Sequence, residues 1–135
     1  MTSLPFPLRR TRRRPIRRGL KEVVLVGPRG QVVCGRCHMA ESSPSRMRGL
    51  IGRRRLDGGE GMLLRPANSI HTAFVRFPID AVFLDRELTV LSVRRELKPW
   101  RAAWDWKASA VLELAAGECE RLGVNPGDRL AWGRL

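Results

Sequence analysis

The sequence predicts a mainly β fold: a compact antiparallel β-sandwich or barrel of about eight short strands with one or two short helices. Two observations favour it. Short apolar and β-branched runs are separated by turn-forming residues about every 8–12 positions, the spacing of a sandwich or barrel. The regular alternation of strands and helices that marks a parallel α/β sheet is absent. Hydrophobic residues make up 43% of the chain, enough for a packed core.

The first element is a predicted β-hairpin. Glu22–Val26 and Gln31–Cys34 are β-branched runs joined by Gly27-Pro28-Arg29-Gly30, a segment rich in turn-forming residues. A short helix follows at Ser43-Pro44, because serine caps helices and proline favours the first turn. Its apolar face consists of Met47, Leu50 and Ile51.

The remaining elements are mostly strands. Ile79–Leu84 is apolar at every position but Asp80, which is typical of a strand covered on both faces. Lys98–Lys107 is predicted to be a loop. Further strands are predicted at Gly61–Leu64, Thr72–Phe77, Leu88–Val93, Ala110–Leu114 and Arg129–Trp132, with one or two helical turns at Gly117–Leu122.

Positive charge is concentrated at the start of the chain. The formal net charge is +13, and residues 1–21 hold seven Arg and one Lys with no acid. Residues 1–20 lack hydrophobic periodicity, so they are predicted to form a disordered basic arm that precedes a single β-rich domain at 21–135. Neither a secretory signal nor a membrane-spanning run is recognisable, and we expect a cytoplasmic protein.

Several motifs are spread along the chain: Arg48-Gly49-Leu50-Ile51-Gly52-Arg53, Glu60-Gly61-Met62-Leu63-Leu64, His71-Thr72, Arg76-Phe77-Pro78-Ile79-Asp80-Ala81-Val82-Phe83-Leu84-Asp85, Lys98-Pro99-Trp100, Val111-Leu112-Glu113-Leu114, Ala116-Gly117 and Gly127-Asp128-Arg129-Leu130. Together they resemble the domain of unknown function 192 family, a group of uncharacterised bacterial proteins. The resemblance covers roughly residues 32–133 and implies a compact, mainly β domain with short helices, and it does not indicate which activity the protein has.

The cysteines raise the question of a cofactor. Cys34-Gly35-Arg36-Cys37-His38 matches the attachment pattern of c-type haem, but attachment normally requires export, so haem is disfavoured. Cys34 and Cys37 also have the spacing of two zinc ligands, which His38 or His71 with Cys119 could complete. A second ligand pair is missing from the sequence, and the favoured interpretation is unligated buried thiols. No cofactor is predicted.

Asp80 is the most informative single residue, because it interrupts an apolar strand and a buried carboxylate is costly unless bonded. The favoured interpretation is structural: Asp80 accepts backbone N–H groups or pairs with an arginine such as Arg48. The alternative is a carboxylate that faces His71 in a cleft bordered by Trp100.

Trp100, Trp104 and Trp106 lie within seven residues of one another. Such rings can stack on bases or sugars. We favour a hydrophobic lid that covers one end of a barrel.

Three functions follow from these residues. The leading hypothesis is a binding or accessory module whose cleft holds a small ligand or a protein segment, with Arg48, His71, Asp80 and Trp100 as its residues. A hydrolase-like enzyme using Asp80 and His71 is the second, although no nucleophile is identifiable. The third is non-specific binding of nucleic acid or an acidic surface. Its residues would be Arg12, Arg13, Arg14, Arg17, Arg18, Arg53, Arg54 and Arg55. The sequence leaves the oligomeric state open.

Overall fold

A computed structural model of the chain describes residues 20–134. Over these residues the chain forms nine strands and two short helices, which confirms the mainly β prediction. In chain order they are β1 (Lys21–Val26), β2 (Val32–Ala40), α1 (Ser43–Arg48), β3 (Glu60–Leu64), β4 (Ser69–His71), β5 (Ile79–Leu84), β6 (Val90–Leu97), β7 (Ala102–Trp104), β8 (Ala110–Ala115), α2 (Glu118–Leu122) and β9 (Ala131–Gly133).

Seven strands form one sheet in the order β6-β5-β8-β3-β2-β1-β9, and β4 pairs with β7 in a second, two-stranded sheet. The predicted hairpin is present as β1 and β2, which pair antiparallel. One pair departs from the antiparallel expectation, because β2 and β3 run parallel across the connection that contains α1. Such a connection crosses over between neighbouring parallel strands.

The large sheet curves so that its two edges approach each other, but the fold remains sandwich-like. Residues next to its two edge strands meet at one end, where Thr89 bridges to Arg129 and the Leu130 amide donates to the Leu88 carbonyl at 2.9 Å. Within the described chain, β6 and β9 themselves do not pair, so the sheet is not closed into a barrel.

The sheet has an apolar core on each face. The core on the inner face, inside the curve, includes Leu25, Leu84, Leu112 and Leu130. The core on the outer face lies between the sheet and the layer formed by α1 and the β4–β7 pair; it includes Leu50, Met62, Ile70 and Phe83. Strand β5 is buried at all six positions, as its apolar composition predicts, because it supplies side chains to both cores.

The structure shifts the predicted start of the first helix by one residue. Ser42, not Ser43, is the N-cap: its hydroxyl accepts the Ser45 amide at 3.2 Å, and the Ser45 hydroxyl accepts the Ser42 amide at 3.1 Å. This reciprocal capping box satisfies two backbone donors that would otherwise lack a partner. The helix ends at Arg48, and Leu50 continues into the outer-face core.

Two other expected elements are wrong. Thr72–Phe77 is not a strand, because Thr72 begins a turn in which the Val75 amide donates to its carbonyl at 3.1 Å. The expected loop at Lys98–Lys107 contains β7, whose central residue, Ala103, pairs with Ile70 of β4. Both errors have one cause. The small β4–β7 sheet joins segments far apart in sequence, a pairing that local periodicity does not show.

Candidate functional site

A pocket of about 310 Å³ opens on the outer face of the large sheet. One wall comes from the end of α1 and the turn after it, and the other from the segment between β3 and β4. The volume is in the range of small-molecule sites, and polar groups converge on an otherwise apolar lining. Its lining residues include Arg46, Leu50, Asn68, Ser69, His71 and Glu113.

Glu113 is the buried acid of this pocket. It lies in the middle of β8, and its neighbours Leu112 and Leu114 pack into the inner core, so strand alternation directs Glu113 to the outer face. Only 4% of the residue is exposed. A carboxyl oxygen lies close to Gly49, at the end of α1, since a Cβ there would be 3.7 Å from Oε1.

Among the described residues, none is found to donate a hydrogen bond to the Glu113 carboxyl or to form an ion pair with it, and burial is the cause of its pKa shift. Burial therefore acts unopposed, and it raises the pKa of this carboxyl to about 8. At neutral pH the group is mostly protonated. It then offers one O–H donor and acceptor oxygens to whatever occupies the pocket.

Asp80 lies on the opposite face and is fully bonded. Its Oδ1 accepts the Glu96 amide at 2.9 Å, and its Oδ2 accepts the amides of Gly117 and Cys119 at 3.1 and 2.9 Å. These bonds attach the start of α2 and the end of β6 to the middle of the sheet. Asp80 therefore accepts backbone N–H groups, as the structural interpretation of this residue predicts, and no arginine is needed as its partner.

The structure does not assemble the cleft expected around Asp80. His71 lines the outer-face pocket, whereas Asp80 lies on the inner face beside Cys119. Trp100 does not line that pocket, and 62% of it is exposed. Arg48 is the last residue of α1, but its side chain lies outside what the structure describes. Of the three predicted ligand residues whose side chains the structure describes, His71 lines the pocket and Asp80 and Trp100 do not.

The cysteine motif is split between the two faces of β2. Cys34 and Cys37 are both buried in the inner core. The two steps from Val23 to Leu25 in β1 face three steps in β2, and this register irregularity puts both thiols on the same side of the sheet. His38 follows Cys37 on the strand and points to the opposite face. Two thiols and a histidine on opposite sides of a sheet do not converge on one metal ion, and they do not form a haem attachment site, in which the thiols bond the porphyrin and the histidine ligates its iron.

The described residues contain no group of three or more His, Cys, Asp and Glu side chains arranged to hold a metal ion. Cys119 lies near Asp80, and burial together with this carboxylate raises the pKa of its thiol to about 12. Burial also lowers the pKa of His38, whose two ring nitrogens have no hydrogen-bond partner in the described structure. The three cysteines are free, buried thiols.

The tryptophans do not form the expected lid. Trp100, Trp104 and Trp106 are 62%, 57% and 74% exposed, and they lie at or beside β7, on the surface of the small sheet. Ala103 takes the buried position of β7 in their place. The three rings therefore lie on the surface and do not cover a core.

The arginines expected to contact phosphates have different surroundings. Arg53 is half-buried and pairs with Glu60 at 3.1 Å, and Arg55 pairs with Asp57 at 3.2 Å, while Arg54 is exposed. The positive charges of Arg53 and Arg55 are thus largely neutralised by acids within the fold. The arm residues Arg12, Arg13, Arg14, Arg17 and Arg18 lie outside the described residues.

Glu113 is the residue that the sequence analysis missed. Like Asp80, it is a single acid within an apolar strand, in Val111-Leu112-Glu113-Leu114. The same argument about the cost of burying a carboxylate applies to both. The sequence therefore contained the same indication of a buried acid in both strands, but the argument was made for Asp80 of β5 and not for Glu113 of β8.

Comparison with known proteins places the chain in a family. The model of DUF192, described as an uncharacterised ACR, matches residues 24–132. The chain belongs to this family. The function of the family is unknown.

Two UPF0127 proteins are similar to part of the chain. One from Pyrococcus furiosus is 40% identical over 70 residues, which are 50% of this chain and 58% of the relative. One from Pyrococcus abyssi is 40% identical over 65 residues, 47% of this chain and 55% of the relative. The chain therefore matches just over half the length of these curated relatives.

Two crystal structures share the fold across most of the chain. A protein of unknown function from Novosphingobium aromaticivorans has a TM-score of 0.72 and 26% identity, covering 84% of this chain and 85% of that one. A candidate transcription regulator from Sinorhizobium meliloti has a TM-score of 0.73 and 27% identity, covering 82% and 92%. In the part of this chain that the structure describes, no helix has the length and apolarity to cross a membrane.

Proposed function

We propose that this protein is a binding module whose outer-face pocket holds a small polar molecule. The observation that carries the proposal is the Glu113 carboxyl, buried in the pocket without a partner among the described residues. Burying such a group costs stability unless something bonds it, and a ligand in the pocket can supply that bond.

The lining favours a particular ligand chemistry. At neutral pH the protonated Glu113 donates a hydrogen bond, which suits a carbonyl or hydroxyl oxygen. Arg46 adds positive charge to the wall, and Asn68 adds an amide. The pocket therefore fits a compact molecule with an acceptor oxygen near Glu113 and a negative charge near Arg46, such as a small hydroxy or keto acid.

The test measures thermal stabilisation by lactate, pyruvate and malate of the wild type, Glu113→Gln and Glu113→Leu. Glutamine keeps a donor, so the compound that stabilises the wild type should stabilise Glu113→Gln too, whereas Glu113→Leu should bind at least about tenfold more weakly for one lost buried hydrogen bond. Glu120→Gln, an exposed acid on α2, is the control. Equal binding by Glu113→Leu and the wild type, or stabilisation of none of these proteins, would refute the pocket proposal.

Proton transfer is a second candidate, favoured by the same carboxyl. A group with a pKa near 8 can give up and regain a proton near neutral pH, and His71 lines the same pocket. An enzyme built on this site would use Glu113 and His71. The positions of Asp80 and His71 on opposite faces of the large sheet do not support a hydrolase that uses both residues.

We also propose a cytoplasmic protein in which a basic arm, residues 1–20, precedes one domain at 21–135. The seven arginines of the arm suit weak, salt-sensitive contact with nucleic acid. The similarity to a candidate transcription regulator is in keeping with such a partner. The arm and the pocket are separate features, and neither proposal needs the other.

A further inference from the structure

The small β4–β7 sheet and the segments that flank it carry exposed aromatic rings and exposed basic side chains. They are the rings of Phe74, Trp100, Trp104 and Trp106 together with the side chains of Arg76, Lys98, Arg101 and Lys107. We call this set of residues the aromatic–basic surface. It does not depend on the outer-face pocket or on the arginine arm.

Two of the rings are held together by the backbone beneath them. Phe74 and Trp100 meet edge to face, with ring centroids 4.7 Å apart and an interplanar angle of 64°. Both residues have left-handed backbones, with φ of 64° and 62°. Bulky residues rarely adopt this conformation, and where they do the surrounding structure must hold them.

Thr72 supplies that hold. This buried threonine donates its hydroxyl to the Lys98 carbonyl at 2.6 Å and accepts the Arg101 amide at 2.9 Å. Its carbonyl also accepts the Trp100 amide at 3.1 Å. The loops that carry the two rings are therefore fixed relative to each other, although the rings themselves are 65% and 62% exposed. A rigid exposed aromatic pair loses little conformational entropy on binding.

The charge on this surface has one predominant sign. In the segments 69–77 and 98–107, the basic residues are the four named above and the one acid is Asp105. Asp105 is occupied within the fold, because its carboxylate accepts the Ser92 hydroxyl at 2.7 Å and the Lys107 amide at 3.1 Å. The surface therefore suits a partner that offers negative charge and flat apolar groups.

We infer that the aromatic–basic surface binds single-stranded nucleic acid. Bases stack on exposed aromatic rings while lysine and arginine neutralise the phosphates, a combination that binds single strands with little sequence preference. Duplex DNA has its bases stacked inside and should bind less well. Trp104 and Trp106, farther along the same stretch of chain, offer further rings for successive bases.

The test is fluorescence anisotropy of the full chain with a labelled oligothymidine and with a duplex of the same length. Measurement at about 0.3 M salt suppresses the purely electrostatic contribution of the arm. Trp100→Ala and Phe74→Ala should each weaken single-strand binding about tenfold or more, as expected for one lost stacking contact. Trp132→Ala removes an exposed tryptophan from β9, outside this surface, and should bind like the wild type.

A second variant covers the case in which removing Trp100 disturbs the loops. Lys98→Glu with Lys107→Glu changes exposed side chains alone and should weaken binding at least as much, with an unchanged melting temperature. Three results would each overturn the inference: wild-type affinity in this variant, no preference for the single strand, or binding to phosphatidylserine vesicles with none to oligothymidine.

Discussion

Two buried acids on neighbouring strands have opposite environments. Asp80 of β5 pairs with Leu114, and Glu113 of β8 pairs with Ala81, so the acids are one register position apart on opposite faces of the sheet. Asp80 accepts three backbone amides, whereas Glu113 accepts no hydrogen bond from the residues that the structure describes. Both acids are buried, but they differ in the number of backbone N–H groups within reach. Asp80 is bonded by three and has a structural role, whereas Glu113 remains able to bond a ligand.

The strongest test of this difference between Asp80 and Glu113 is to measure the free energy of unfolding as a function of pH. The pKa of Glu113 is about 8 in the folded chain and near 4.5 when unfolded. Between these values the folded state keeps a proton that the unfolded state releases. Stability should therefore be fully present below about pH 4.5 and fall by up to about 1.4 kcal/mol per pH unit until about pH 8.

Urea unfolding from about pH 5 to about pH 9 tests this, with Glu113→Gln as the comparison because it cannot titrate. The difference in stability between the two proteins should change across the window and level off near pH 8. Other groups, His38 among them, contribute equally to both proteins and cancel. Parallel curves for wild type and Glu113→Gln would show that Glu113 has an ordinary pKa, and the comparison would fail.

The next largest effect is expected at Asp80. Asp80→Ala leaves the amides of Glu96, Gly117 and Cys119 without their acceptor and should cost about 3 kcal/mol, since unsatisfied buried donors are expensive. Asp85 is the matched control. It accepts two turn amides at 2.9 Å but is only half-buried, so water can replace it and Asp85→Ala should cost about 1 kcal/mol. Equal losses at the two sites would mean that burial of the bonds does not matter.

Local patterns predicted most of the sheet. The buried strand at Ile79–Leu84 is present with the predicted bounds, and the hairpin at its glycine-rich turn is present too. What local patterns did not predict is long-range pairing. The parallel contact of β2 with β3 and the contact of β4 with β7 join segments that are far apart in sequence. Strand β4 has only three residues, too few for an alternation to be recognised.

The candidate site was less predictable, for the same physical reason. An acid in an apolar strand signals burial, but its partners come from other parts of the chain. Asp80 finds donors at the start of α2, and Glu113 meets the end of α1, neither of which sequence spacing reveals. The tryptophans were misplaced because composition cannot show which residues of a loop turn inward. Ala103 does so, and the rings beside it do not.

The smallest effect is expected at Gly61, where β3 and β8 approach closely on the inner face. A Cβ at this position would lie 2.8 Å from the Glu113 carbonyl and 2.9 Å from the Cys34 Sγ, so Gly61→Ala should cost about 2 kcal/mol by overpacking. Gly58→Ala is the control, since its Cβ would meet the Glu118 carboxyl at an ordinary 3.6 Å. The added methyl group points away from the pocket, so the pH dependence assigned to Glu113 should persist in Gly61→Ala. Loss of that dependence, with the protein still folded, would show that the two faces are coupled and that the acids cannot be treated separately.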